Sequence, residues 1–331
     1  MKKILASLSL AVVSSFAWTI NGTGSSFQLP VNKVWIAGFY KETGNRVNYT
    51  GTGSGTGIKE IIAKHVDFGG SDKPLSPKTL KKFHLAQFPT VIGGITLAYN
   101  VPGVNKLKLS EVAIEGIFLG TIVYWDNPVI KQANPGVKLP HKKIFVVHRS
   151  DKSGTTFNFT YYLSKMSSTW RRHYGAKKVL TWPTDKQGRG SAGKGNFGVS
   201  AQIKKNNYSI GYVDYADAVA NHLNLATLEG RDHKFVEPTP KEFAKGVLYA
   251  GLNPKKDFFG MIAYPKHGYP IIAATFDLVH TDSSKAKYVA EFFNYAFNHD
   301  EAATKLGYIP LPTSLKSEVV QYWISKGIFK K

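Results

Sequence analysis

Three times along this chain a β-type run or a turn ends in small hydroxyl and glycine residues and a helical pattern opens at once. The three places are Ser25-Ser26-Phe27, Gly53-Ser54-Gly55 and Ser153-Gly154-Thr155. This plan restricts the fold more than any other feature. Short β-rich runs that alternate with amphipathic helical patterns specify an α/β architecture with parallel or mixed sheets. At 331 residues the chain exceeds what one hydrophobic core usually organises, so two domains are expected.

The periodicities place the elements. Gln28 to Tyr40 carries Val31, Val34, Trp35 and Phe39 near helical spacing, with Ser26 upstream as the candidate N-cap. Val47-Asn48-Tyr49 reads as a strand that enters the glycine-rich loop from Gly51 to Gly57, and Ile58, Ile61 and Ile62 mark the helix after it. Val66 to Gly69 reads as a strand running into Gly70-Ser71-Asp72, which puts Asp72 at a strand's carboxyl end. Ile92 to Asn100 is a long apolar strand, expected to lead out of a first domain into a second. Ile144 to His148 predicts a strand that delivers Arg149 to Thr155 into a helix bearing Phe157, Tyr161 and Tyr162, repeating the plan of the first domain. Ile210 to Val213 and Pro270 to His280 read as strands, and Lys285 to Asn298 as a helix packing Tyr288, Phe292, Phe293 and Tyr295.

The first residues form a separate unit. Lys2 and Lys3 precede an apolar stretch from Ile4 to Phe16 and the small-residue site Ser15-Phe16-Ala17, the pattern of a secretory signal peptide cleaved near Ala17. That stretch is too short to span a bilayer. The chain has no cysteine, which removes disulfides, thiol catalysis, zinc-thiolate sites and a lipid-anchoring cysteine. An exported, unanchored periplasmic protein is therefore expected. Forty-three Lys and Arg against 22 Asp and Glu give a formal charge of +21, a field that attracts anions of every kind without naming one.

Helix starts leave backbone N–H groups unpaired and carry about half a positive charge, so the three turns are anion contacts in waiting. Taken singly, Ser26, Ser54 and Ser153 each read more readily as ordinary N-caps. Arg149 supplies what capping does not: a permanently charged fork suited to an oxyanion, with Asp151 two residues on to hold it. Asp72 is the sharpest sign. A carboxylate in an anion pocket repels its ligand unless a proton lies between them, so it accepts only from an anion that still carries hydrogen. Phosphate near neutral pH does, and sulfate does not.

With these residues placed, the chain resembles the periplasmic phosphate-binding proteins of phosphate-specific ABC importers. The resemblance covers essentially all of the chain after the signal. It runs through Gly24 to Phe27, Tyr40 to Gly44, Val47 to Tyr49, Val66 to Asp72, Gln87 to Gly94, Ile122 to Asp126, Arg149 to Thr155, Gly193 to Asn196 and Ile210 to Val213. It implies a dehydrated phosphate held by the Ser26 hydroxyl, the Phe27 amide and Ser54. Asp72 would be the proton-reading acceptor, Arg149, Ser153, Gly154 and Thr155 would complete the cage, and Asp151 would orient Arg149. Ser26 stands where the family is familiar with threonine, and the loop from Thr184 to Gly193 is longer and more basic than the family leads one to expect. The implied fold is a two-lobed periplasmic binding protein of type II. Residues 18–95 with 271–331 would form lobe I, 96–270 lobe II, and the strands would cross between them.

Rival readings fare worse. Gly188 to Gly193 fits G-x-G-x-x-G and part of a P-loop, but Gly195 stands where the P-loop needs Ser or Thr. The ten histidines, including His65, His148 and His280, show no metal-ligand spacing, which with unclustered carboxylates argues against a phosphatase. The lysines form no concentrated tract, which argues against a nucleic-acid binder. The expected protein is a monomer that is not an enzyme and needs neither cofactor nor metal. Its partners would be inorganic phosphate and the permease subunits of an importer. Asp72 does not separate phosphate from arsenate.

Overall fold

The computed structural model describes residues 17–247 and 251–329, so the expected signal segment before Ala17 lies outside the described residues. Eight strands build the main sheet: β1 (Thr19–Gly24), β2 (Arg46–Thr50), β3 (Phe68–Ser71), β4 (Leu85–Asn100), β5 (Phe145–Arg149), β6 (Gly190–Gly193), β7 (Ser209–Asp214) and β8 (Ile272–His280). They lie in the order β2-β1-β3-β8-β4-β7-β5-β6, with the short strand Asn224–Leu225 added against β4. The helices that matter for the site are α1 (Leu29–Thr43), α2 (Ser54–Ile62), α3 (Gly154–Met166), α4 (Gly195–Lys205) and α5 (Ala286–Phe297). The α/β class with a mixed sheet is as the strand and helix patterns require.

β4 divides the sheet. Its residues Leu85 to Gly94 pair antiparallel with β8, and Ile95 to Asn100 pair antiparallel with β7. On one side β1, β2 and β3 are parallel, and on the other β5 is parallel to both β6 and β7. The strand is buried along nearly its whole length, which is why its sequence is mostly apolar and does not alternate. It begins at Leu85, not at Ile92. The sequence signal against that start is Pro89, which has no N–H to give a central strand. The ladder solves this with a bulge: Thr275 pairs with Val91 and Phe276 with Pro89, so Thr90 is left over between them.

Two aromatic clusters sit beneath the two halves. In the first, Phe293 meets Phe68 at 5.5 Å and Phe88 at 5.3 Å between ring centroids, and Phe88 meets Trp323 at 4.9 Å. In the second, Phe159 meets Phe118 and Tyr212, each at 4.6 Å, and Trp182 lies 5.6 Å from Tyr212. Burial of each such ring contributes about 1.5–3 kcal/mol. Tyr212 also turns its hydroxyl to the functional region, where it accepts from the Arg149 N–H at 3.1 Å and shares a 2.7 Å hydrogen bond with Thr156 Oγ1.

Two local expectations change. Ser26 does not cap the first helix: α1 starts at Leu29, Gln28 occupies the cap position, and Pro30 sits in its first turn. The segment from Thr184 to Gly193 is ordered by pairing, since β6 lies along β5 and the buried Arg189 donates to the carbonyls of Ile144 at 2.7 Å and Gly120 at 3.2 Å. The G-x-G-x-x-G motif is thus largely an edge strand.

Candidate functional site

The carboxyl ends of β1, β3 and β5 and the starts of α2, α3 and α4 converge. Ser26, Phe27, Ser54, Asp72, Arg149, Ser153 and Thr155 are all buried, and so is Gly154 at the start of α3. Three hydrogen bonds join the two sides. The Gly55 N–H donates to the Lys152 carbonyl at 2.8 Å, the Asn196 N–H to Ser26 Oγ at 3.2 Å, and Asn158 Nδ2 to the Asp72 carbonyl at 2.7 Å. Glycine is required where the sides meet. A Cβ on Gly154 would lie 2.2 Å from Ser54 Oγ and 2.7 Å from Asp72 Oδ2, and one on Gly53, whose φ is +95°, would lie 2.2 Å from Asp151 Oδ2.

One wall centres on Arg149. Its Nε and Nη2 donate to the two oxygens of Asp151 at 2.8 and 2.5 Å, and Nη1 donates to Thr155 Oγ1 and to Asn196 Oδ1, each at 3.1 Å. A guanidinium has five N–H groups, so an N–H of Nη2 remains as its further donor. The bidentate face of the fork is therefore turned to Asp151, while the positive charge stays in the pocket. Burial pushes the Asp151 carboxyl up, but the Arg149 hydrogen bonds and charge and the Gly195 N–H outweigh it and hold it below the usual carboxylate range. Thr155 keeps its own proton to donate, because its oxygen is the acceptor toward Arg149. Ser153 accepts from the Thr156 N–H at 3.0 Å and so does cap α3. The first intrahelical bond of α3 is donated by Phe157 to the Ser153 carbonyl, which leaves the Gly154 and Thr155 N–H groups ahead of it at the positive end of the helix.

The opposite wall centres on Asp72, which is 2% exposed. Its Oδ1 accepts from Ser25 Oγ at 2.5 Å and Thr275 Oγ1 at 2.8 Å, while Ser54 Oγ stands 3.5 Å from Oδ2. Burial raises this carboxyl to about 6, against the lowering effect of the Ser25 and Thr275 hydroxyls, the Arg149 charge and Ser54. Behind it lies a second carboxyl, Asp277, fully buried, which accepts from Gln28 Nε2 and Thr90 Oγ1, each at 3.0 Å. Burial, opposed by those two hydrogen bonds and reinforced by the charge of Asp72, raises Asp277 to about 7. The Phe27 N–H donates to Ser25 Oγ at 3.0 Å, so this amide is engaged within the wall.

Four residues here carry no assignment from sequence reasoning. Asn196 links Arg149 to Ser26, Asn158 ties Asp72 to α3, and Ser25 and Thr275 hold Asp72. The segment Gly193 to Asn196 and the pair Ser25-Ser26 were visible as signals, but Thr275 is 203 positions from Asp72 and nothing local marks it. Among the described residues no cluster of His, Cys, Asp and Glu could hold a metal ion, and no helix is long and apolar enough to cross a membrane.

Known proteins share this arrangement of elements. Residues 13–300 match the model of the PBP superfamily domain. The phosphate-binding protein PstS of Pasteurella multocida is 42% identical over 316 residues, covering 93% of this chain and 90% of that protein. Its counterpart in Haemophilus influenzae is 42% identical over 314 residues, covering 92% of each. The fold matches the high-affinity periplasmic phosphate-binding protein PfluDING with a TM-score of 0.73 at 21% identity, covering 92% of this chain and 93% of that one. It also matches an ABC-type phosphate transport receptor from Vibrio cholerae with a TM-score of 0.57 at 17% identity, covering 88% of this chain and all of that one. With a superfamily model spanning most of its length and relatives this close over nine-tenths of it, the chain belongs to the PstS family of phosphate-binding proteins within the PBP superfamily.

Proposed function

We propose that this protein captures inorganic phosphate in the periplasm and delivers it to the permease of an ABC-type importer, acting as a binding protein and not as an enzyme. The observation that carries the reading is the pairing of a buried acceptor carboxylate, Asp72, with a buried cation and a helix start on the facing wall. Ser26, Ser54, Ser153 and Thr155 with the Gly154 and Thr155 amides are the donors to the anion, Arg149 supplies the charge, and Asp151 orients it. The Phe27 amide, which donates to Ser25 Oγ at 3.0 Å, turns to the anion as a further donor when the ligand is held. Asp72 accepts the proton that phosphate retains, and a fully ionised anion would leave that acceptor facing it unpaired.

Residues 18–95 with 271–331 and residues 96–270 are the two lobes, and they close on the ligand. The change of partner along β4 between Gly94 and Ile95 supports a boundary there. Closure excludes water and strengthens each contact to the anion. The N-terminal segment directs export and is removed near Ala17, and the mature protein acts free and as a monomer.

Calorimetric titration of the purified, phosphate-stripped mature protein with phosphate and then sulfate near neutral pH tests the reading. Tight one-to-one phosphate binding without a sulfate signal is expected. Equal binding of both anions, or of neither, would overturn it.

A further inference from the structure

Asp72 has two oxygens and they are treated differently. Among the described residues Oδ1 receives two hydroxyl donors, one from β1's end and one from β8, while Oδ2 has only Ser54 Oγ at the 3.5 Å limit of hydrogen bonding. Oδ2 is also the oxygen that lies 2.7 Å from where a Gly154 Cβ would stand, so it faces the start of α3. Ser25 is held in turn: its oxygen accepts from the Phe27 N–H, and its carbonyl accepts from the Tyr49 hydroxyl at 2.8 Å.

We propose that Ser25 and Thr275 are positioning residues for anion selection: together they fix Oδ1 of Asp72, keep the carboxyl ionised and reserve Oδ2 as the acceptor for the ligand's proton. The inference rests on the phosphate reading above and deepens it. A carboxyl free to rotate about its last bond presents either oxygen, and one that holds its own proton becomes a donor. A protonated Asp72 would then welcome any oxyanion, sulfate included, and selectivity would vanish. Hydroxyl donors to the charged form oppose this, because they favour the carboxylate over the acid. They are needed here because burial acts the other way, while Arg149 acts with the hydroxyls, and Asp277 behind is itself raised by the charge of Asp72. Tyr49 and Tyr308 are the other titratable groups that feel Asp72, and both are pushed well above the ordinary tyrosine range, burial being the first cause, so they stay neutral.

The sign of the pH effect follows. The preference for phosphate over sulfate should fall as pH drops through the titration of Asp72, and sulfate binding should appear over the same interval. Removing either hydroxyl raises that titration, so both changes begin at a higher pH. The test titrates the mature chain with phosphate and with sulfate from pH 5 to pH 9, for the unmodified protein, Ser25→Ala, Thr275→Val and the double variant. Ser25→Thr and Thr275→Ser are the conservative controls. The double variant should lose roughly tenfold or more in the phosphate-to-sulfate ratio at neutral pH, corresponding to one or two hydrogen bonds to a charged group. Its pH midpoint should move upward, and the controls should restore both. Should the double variant fail to fold, the single ones carry the same comparison at smaller amplitude. A folded variant with the ratio and midpoint of the unmodified protein would overturn the clamp alone, even if its overall affinity fell. Absence of phosphate binding by the unmodified protein would overturn the functional reading and the clamp with it.

Discussion

Asp72 and Asp151 are two buried carboxyls on facing walls of one pocket, and their surroundings push them in opposite directions. Asp151 sits in the fork of Arg149 and is held below the usual carboxylate range despite its burial. Asp72 is given hydroxyl donors instead of a cation, and burial takes it up to about 6. The same functional group thus does two jobs. Asp151 keeps a positive charge aimed and neutralises part of it, whereas Asp72 remains a base whose proton affinity lies close enough to neutrality to share a hydrogen with a ligand.

The largest effect is expected from breaking the Asp151 side. Arg149→Ala removes the charge and leaves Asp151 buried without its partner, and phosphate affinity by calorimetry should fall by about 2–5 kcal/mol, roughly 30- to 5,000-fold. Unchanged affinity would take Arg149 out of the site. The Asp72 side should respond in selectivity. Asp72→Asn offers an amide that donates as well as accepts, so the phosphate-to-sulfate ratio should fall roughly ten- to hundredfold, and retained rejection of sulfate in competition titrations would remove the proton-reading role.

The smallest effect sharpens the comparison, since Asp277 stands behind Asp72 and shares its apolar surroundings. Its folded-state titration near 7 lies above the ordinary value of 3.8, so its stabilising contribution is complete below that ordinary value and is lost as pH rises through about 7. Asp277→Asn removes this slope. Its melting temperature relative to the unmodified protein should climb by a few degrees between pH 4 and pH 8. A constant difference across that range would mean that Asp277 is not an ionising buried group.

The sequence was most legible where chemistry is local. Arg149, Asp151, Ser153, Gly154 and Thr155 occupy one turn between a strand and a helix, so their convergence could be read from seven consecutive positions. Asp72 was legible for the same reason, following directly on β3. Ser26 shows the limit of this reading: a serine near a helix start is a cap by default, but Pro30 shifts the start and the hydroxyl meets Asn196, 170 positions away. Thr275 was hidden more deeply, within an apolar strand whose pattern says burial and nothing about what its hydroxyl touches. The early part of β4 was obscured because a bulge around Pro89 and Thr90 is a property of the pairing with β8, not of the residues alone.

The position of β8 has a consequence for how the chain becomes this structure. β8 lies between β3 and β4, so the sheet that carries Asp72 lacks an inner strand until residues 272–280 have been made. A growing chain stopped before that point presents two unpaired strand edges, and one of them belongs to a strand buried along nearly all its length. Completing the ladder means closing a loop of about 200 residues between β3 and β8, a pairing of high contact order that is slow to form. The first half of the molecule therefore cannot mature ahead of the last, and the chain stays open to carriers and to aggregation until its C-terminal strand arrives.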